Sequence, residues 1–257
     1  MGKTLDLKSR TAVVIGGTSG IGLALARGLA EAGADVIPSG RRADRVEHAA
    51  AEIRELGRRS LVSVCDISDR ASLEHFRDAV AKEFRAVDIL VNCAGTTIKV
   101  PTLDLAERDW NRVVDTNLNG TLRACQAFGR QMIERRYGRI INIASLASFA
   151  GWYEVAAYAA SKSAVVSLTK TLAVEWAKYG VCVNAIAPGV FRTDLNRALL
   201  DGTPRGEELL MRTPMRRFGQ VEELIGAAVF LASEAAGFVT GHVLAVDGGF
   251  LASGVNQ

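Results

Sequence analysis

Tyr158 and Lys162 stand four residues apart in the run YAASK, inside a stretch of helical period from about Ala157 to Tyr179. At that spacing two side chains share one helix face, so the Lys162 ammonium is placed near the Tyr158 phenol. A free phenol has a pKa of about 10, and a neighbouring cation favours the phenolate, which brings it toward a value useful for proton transfer. A tyrosine–lysine pair on an exposed helix face does no chemistry, so the pair needs support from other residues. Ser145 supplies some. It lies thirteen residues upstream at the end of the apolar run RIINIAS, and an open α/β sheet presents its site at the carboxyl ends of its strands. Near the N-terminus the run TAVVIG enters a glycine loop, Gly16, Gly17, Thr18, Ser19, Gly20, Ile21 and Gly22, followed by the helical pattern LALARGLAEAG. Glycines there let backbone approach a diphosphate closely, and the helix that opens beyond them turns free N–H groups and the positive end of its dipole toward an anion.

Those residues require a scaffold. Short apolar runs occur at 11 to 16, 34 to 39, 60 to 65, 87 to 92, 139 to 145, 181 to 187 and 242 to 246, with helical patterns in nearly every gap. Runs that are apolar on both faces and alternate with helices predict an α/β fold, a doubly wound parallel sheet of seven strands covered by helices on both sides. No repeat, low-complexity tract or proline-rich linker divides the 257 residues, and one domain spanning 1–257 is expected. Residues 190 to 220 interrupt the rhythm with two short helical pieces after a strand end, where a substrate lid belongs.

Composition narrows the classes. Hydrophobic residues make up 49% of the chain and charged residues 23%, which describes a well-buried globule. The net charge of +3 comes from 31 basic residues among 28 acidic ones with no long basic run, so a nucleic-acid partner is not expected. Cys65, Cys93, Cys125 and Cys182 form no CxxC pair and read as reduced thiols. His48, His75 and His242 have no metal-ligand spacing, and no metal is expected. A polar N-terminus and the lack of any apolar run near the ~18 residues of a membrane span point to a cytoplasmic protein without a membrane partner.

Taken together, the glycine loop, NCAG at Asn92 to Gly95, Asn117 in DTNLNG, Ser145, the Tyr158/Lys162 pair, PGVFRT at Pro188 to Thr193 and VTGHVLAVDGG at Val239 to Gly249 resemble the short-chain dehydrogenase/reductase family, in order and spacing and over essentially the whole chain. The resemblance implies a Rossmann-type fold and hydride transfer between a nicotinamide cofactor and a secondary alcohol or ketone. It implies that Tyr158 is the acid/base and that Lys162 lowers its pKa and holds the nicotinamide ribose. Ser145 then orients the substrate oxygen, and Asn117 supports a water-linked proton path behind Lys162. For the cofactor it implies contacts from Gly16, Thr18, Ser19, Gly20, Ile21 and Gly22, from Asp66 and Ile67 beside the adenine, from Asn92, Cys93, Ala94 and Gly95 along the cleft, and from Pro188, Gly189, Val190 and Thr193, of which Val190 and Thr193 hold the carboxamide. Two positions depart from the family pattern: Ile15 stands where threonine is usual, and Cys93 replaces the second asparagine of NNAG. Both are supporting positions, so local changes in hydrogen bonding are expected without loss of activity.

Cofactor choice rests on the end of the second apolar run, Ser39, Gly40, Arg41 and Arg42. A carboxylate there accepts the ribose 2′-hydroxyl, whereas arginine accommodates a 2′-phosphate. Gly40 occupies the place where NAD-preferring relatives carry Asp, and Arg41 follows at once, so NADP(H) is expected over NAD(H). FRTDLNRALL and RTPMRRFGQVEELIGAAVFLAS resemble stretches of gluconate 5-dehydrogenases and deoxygluconate dehydrogenases, with 3-oxoacyl-carrier-protein reductases next. Arg192, Arg197, Arg212, Arg216 or Arg217 could then pair with a substrate carboxylate, and Trp152 with Tyr153 could wall the substrate chain. A cofactor-binding regulator without turnover is the competing class, and the intact Tyr158 and Lys162 argue against it. The long apolar helix carrying Tyr158 and the one near 222 to 232 are apolar on more than one face, which predicts self-association, as a homotetramer by the resemblance.

Overall fold

The computed structural model describes residues 5–192 and 200–254. Six strands form one parallel sheet: β1 (Thr11–Ile15), β2 (Asp35–Ser39), β3 (Ile89–Asn92), β4 (Gly138–Ile143), β5 (Val181–Pro188) and β6 (Val243–Val246), in the order β2-β1-β3-β4-β5-β6. Between them run α1 (Gly20–Glu31), α2 (Ala43–Glu55), α3 (Arg70–Glu83), α4 (Glu107–Val114), α5 (Gly120–Glu134), α6 (Ala156–Trp176), α7 (Pro204–Arg212) and α8 (Ile225–Ala232).

The strands alternate their apolar side chains between two cores, as the period of two requires. Ala12, Val14, Ile89, Val91 and Ile141 pack toward Leu25 and Leu29 of α1 and Ala228 and Leu231 of α8. Val13, Ile15, Leu90 and Ile140 pack on the other face against Phe76 of α3, Phe128 and Met132 of α5 and Leu172 of α6. Ile15, the first departure from the family pattern, is thus an ordinary core residue at 1% exposure.

The sheet has six strands, not the expected seven. Residues 59 to 65 run beside β2, but they share just two backbone hydrogen bonds with it and the residue after it, Val36 N–H to the Arg59 carbonyl (3.1 Å) and Cys65 N–H to the Gly40 carbonyl (3.0 Å); Arg59 N–H to Asp35 Oδ1 (2.9 Å) and Ser39 Oγ to the Ser63 carbonyl (2.8 Å) add side-chain ties. Backbone N–H groups two residues apart point to the same side of a strand, so the next rung after Val36 falls to residue 38. That residue is proline and has no N–H to give.

The chain leaves β1 in one direction to β2 and returns to the other side for β3. The carboxyl ends of β1 and β3 therefore flank the point where the winding reverses, the place in such sheets where ligands bind.

Candidate active site

At that reversal Gly16 leaves β1 with φ +78°, and its N–H donates to the Ser39 carbonyl at 2.8 Å. A Cβ on Gly16 would sit 2.5 Å from the Ala94 nitrogen, and one on Gly22 would sit 2.1 Å from the Gly16 carbonyl oxygen. Backbone is packed so closely that side chains at these two positions are excluded. Ser19 precedes α1 in extended conformation and does not cap it with its hydroxyl. The first N–H groups of the helix, at Gly20, Ile21 and Gly22, consequently face the loop and are suited to an anion.

At one end of this cleft Gly40, Arg41 and Arg42 follow β2, with Gly40 next to Thr18 of the glycine loop and Arg41 near Asp66. Arg41 and Arg42 are exposed, and among the described residues neither forms an ion pair. Burial alone would raise the Asp66 carboxyl. The Ser68 hydroxyl and N–H, which donate to Oδ1 at 2.6 and 2.9 Å, and the charge of Arg41 together hold it below the ordinary range. Ile67 is buried against Gly120, where a Cβ would come within 2.8 Å of it. Exposed guanidiniums beside a side-chain-free turn, with open helix N–H groups next to them, offer several donors to an anionic cofactor.

Deeper in the cleft, α4 passes into α5 through one π-helical turn, Asp115–Asn119. Such a turn is a frequent mark of functional sites. It points the fully buried Asn117 at the loop after β3: Oδ1 accepts from Thr96 N–H at 2.8 Å, and Nδ2 donates to the Thr96 carbonyl at 2.9 Å and to Ser161 Oγ at 3.0 Å. The Asn117 carbonyl accepts from Thr121 Oγ1 at 2.7 Å. Asn117 therefore fastens the NCAG loop to α6 at the turn next to Lys162.

Tyr158 and Lys162 lie on the first two turns of α6. Lys162 is 4% exposed and donates from Nζ to the Ile143 carbonyl at the end of β4, at 2.6 Å. Burial lowers its pKa to about 8, with Cys93 pulling slightly the other way. Its Nζ is 5.9 Å from the centre of the Tyr158 ring. Burial pushes the Tyr158 phenol above 10, opposed by the hydroxyl of Ser145. Ser145 itself, just beyond β4, accepts from Ala147 N–H at 3.1 Å and starts the short turn Leu146–Ser148. The three side chains expected to do chemistry are thus brought to one place, from a strand end and a helix start.

Other expected positions are sorted by the structure. The Cys93 main chain donates to the Ile15 carbonyl at 2.9 Å, and its thiol is pushed up to about 11 by burial, moderated by Lys162. The Asn92 side chain turns into the core, donating to Asn142 Oδ1 at 2.9 Å, with Cys125 Sγ at 3.4 Å, so only its main chain faces the cleft loop. Pro188 closes β5. Gly189 N–H donates to the Val246 carbonyl at 2.8 Å, and the Val190 carbonyl accepts from Gly219 N–H at 2.9 Å. Thr193 and Arg197 lie outside the described residues. Three of the arginines expected to meet a substrate carboxylate are already paired: Arg192 with Asp201, Arg212 with Glu208 at 2.9 Å, and Arg217 with Glu223 at 2.6 Å.

Two residues escaped the sequence reading. Arg205, at the start of α7, has its guanidinium 6.0 Å from the Trp152 ring centre and forms no ion pair among the described residues. Phe250 stacks on Trp152 at 5.9 Å and 23°. Thr203 and Pro204 mark a helix start and could have placed Arg205 there. Phe250 is more than ninety residues from Trp152, and no local signal joins them.

A glycine cradle at the winding reversal, with serine, tyrosine and lysine converging beside it, is the site of a nicotinamide-dependent oxidoreductase. The chain belongs to the short-chain dehydrogenase/reductase family; residues 16–251 match the family model described as enoyl-(acyl carrier protein) reductase. Among its relatives are a 2-dehydro-3-deoxy-D-gluconate 5-dehydrogenase of Bacillus subtilis (strain 168), 44% identical and covering 96% of both chains, and a gluconate 5-dehydrogenase of Gluconobacter oxydans (strain 621H), 39% identical over 96% of this chain and 97% of that one. The solved structure of a gluconate 5-dehydrogenase from Burkholderia cenocepacia J2315, in complex with NADP and tartrate, superimposes with a TM-score of 0.95 at 42% identity, covering 98% of this chain and 99% of that one.

Proposed function

We propose that this chain is an NADP(H)-preferring dehydrogenase that interconverts a secondary alcohol and a ketone on a gluconate-type sugar acid. The observation that carries the reading is the convergence of Ser145, Tyr158 and Lys162 beside the glycine cradle. The relatives named for gluconate and deoxygluconate, and the neighbour in complex with NADP and tartrate, support the substrate and cofactor.

When bound, the cofactor supplies or takes the hydride. The chain does the rest. The Ser145 hydroxyl holds the substrate oxygen, and the Tyr158 phenol gives it a proton in the reductive direction and takes one in the oxidative direction. Lys162, charged below about pH 8, offsets the negative charge that Tyr158 acquires when its proton leaves. Asn117 keeps the loop and helix that carry these groups in register. Gly16 and Gly22, with the opening N–H groups of α1, take the diphosphate, and Arg41 takes the 2′-phosphate. At the lid, Arg205 beside Trp152 is the guanidinium placed to receive a substrate carboxylate, since Arg192, Arg212 and Arg217 have acidic partners of their own.

The test is turnover of NADP+ with gluconate and 2-dehydro-3-deoxygluconate against acetoacetyl thioesters and simple alcohols. The expected result is turnover of sugar acids that Tyr158→Phe abolishes with cofactor affinity nearly intact. Arg205→Gln is expected to raise the sugar-acid KM at least tenfold while leaving simple alcohols unaffected. Faster turnover of acetoacetyl thioesters than of every sugar acid overturns the substrate assignment.

A further inference from the structure

At the end of the sheet opposite the active site, a cavity of about 360 Å³ opens between the C-terminal ends of α2 and α3 and the segment that follows α2. Arg54, Arg58, Arg59, Ser60, Leu61, Glu83 and Phe84 line it. Its three guanidiniums make no ion pair with any described residue. They commit only a few of their N–H donors, all to main-chain carbonyls: Arg54 to Ser60 at 3.3 Å, Arg58 to Gly57 and Gly33 at 2.9 Å each, and Arg59 to Glu83 at 2.7 Å. A guanidinium has five donors in a fixed fork, so most remain open. Ser60 Oγ is shielded from solvent and has no hydrogen-bond partner. Three cations face one carboxylate. Arg27, Arg77, Arg123 and Arg217, by contrast, each pair with an acid nearby.

We propose that this cavity is a second ligand site, separate from the nucleotide cleft, for a small anion of diphosphate type. The reasoning is chemical. Phosphate oxygens match the guanidinium fork two at a time, and a diphosphate carries enough charge to engage Arg54 and Arg58 together. Arg59 serves as a wall, since it lies over the Phe84 ring at 4.5 Å and is tied to Glu83. A volume of about 360 Å³ admits a diphosphate with a small organic group attached.

Inorganic pyrophosphate titrated calorimetrically into the protein already saturated with NADP+ tests the site, because the nucleotide cleft is then filled and turnover is not the readout. One saturable event is expected. Arg54→Gln and Arg58→Gln should each weaken it at least tenfold and leave NADP+ affinity unchanged. Ser60→Asp, which adds a carboxylate to the same lining, should abolish it and serves where an arginine variant fails to fold. Disappearance of pyrophosphate binding on NADP+ saturation places the anion in the nucleotide cleft and overturns the proposal. So does unchanged binding in the folded variants, or heat that never saturates.

Discussion

Lys162 carries its charge where water hardly reaches. A pKa drawn from 10.5 down to about 8 by burial corresponds to a cost on the order of 3 kcal/mol for the charged form. The sign follows from proton counting. Below about pH 8 both folded and unfolded chains hold the proton and the full cost is present. Between about 8 and 10.5 the unfolded chain still binds the proton that the folded chain has released, so stability rises with pH. Lys162→Met removes the charge together with one hydrogen bond to the Ile143 carbonyl. It should therefore make the apoprotein more stable by roughly 2 kcal/mol at pH 7, with the margin closing as pH climbs through that window, while turnover is lost. Denaturant titrations at pH 7 and pH 10 check it; equal margins at both would mean that the charge is not what burial opposes. At the other end of the cleft, Arg41→Ala should raise the KM for NADPH by about ten- to a hundredfold and leave that for NADH little changed, because a charge-assisted hydrogen bond contributes roughly 1.5–3 kcal/mol and only NADPH carries the phosphate. Gly40→Asp should move preference toward NADH. Its Cβ would approach Thr18 Oγ1 at 3.0 Å, the end of a side chain that can turn aside. A wild type that already prefers NADH would show that Arg41 does not bind the phosphate.

The element that sets the site's register is the π turn between α4 and α5. One extra residue in that turn aims Asn117 at both backbone groups of Thr96, and Thr121 and Ser161 complete its partners. Asn117→Ala should orphan the Thr96 N–H and carbonyl in a partly buried loop and cost about 1–3 kcal/mol of stability. Turnover should fall further than cofactor affinity, since the change loosens the seam between the NCAG loop and α6. Thermal unfolding beside steady-state kinetics reads both. A second buried polar chain, Asn92 to Asn142 at 2.9 Å and Asn142 to Thr169 at 2.9 Å, crosses from β3 through β4 to α6 and fixes the helix on the sheet. Two helices of the opposite face, α1 and α8, touch where Gly28 admits Ile225, whose Cγ2 would lie 2.3 Å from an added Cβ.

For the whole molecule, the open question is what covers its apolar surface. β6 pairs only with β5, and its residues VLAV are half exposed at the sheet edge. Val174 on α6 is 82% exposed, and Phe238, Leu103 and Met215 also face outward. Unpaired edge strands and bare apolar side chains favour partner subunits. The chain should form a homotetramer, and light scattering at micromolar concentration should give four times the chain mass; a monomer mass ends this reading. Val174→Glu, outside the active site, should lower that mass. Among the described residues no helix is long and apolar enough to cross a membrane, and no group of three acidic, histidine or cysteine side chains could hold a metal ion.

Local pattern was enough for the α/β alternation, for the glycine loop between β1 and α1, and for placing Tyr158 and Lys162 on one helix face, because each depends on residues within a turn or a strand of one another. Pro38 was visible too, yet its effect was not: the missing seventh strand depends on which neighbour would have received its N–H, and that is decided by the order of strands in the sheet. The pairing of lid arginines was equally hidden. Arg212 finds Glu208 one turn away, but Arg192 meets Asp201 nine residues on and Arg217 meets Glu223 six residues on, separations that no helix period predicts, while Arg205 lies beside Trp152. The Trp152–Phe250 stack and the fastening of Thr96 by Asn117 likewise join positions far apart in the chain. Sequence determined which groups exist and which local element bears each one. Only tertiary packing decided which of them water leaves, which charges find partners, and which remain free to meet a ligand.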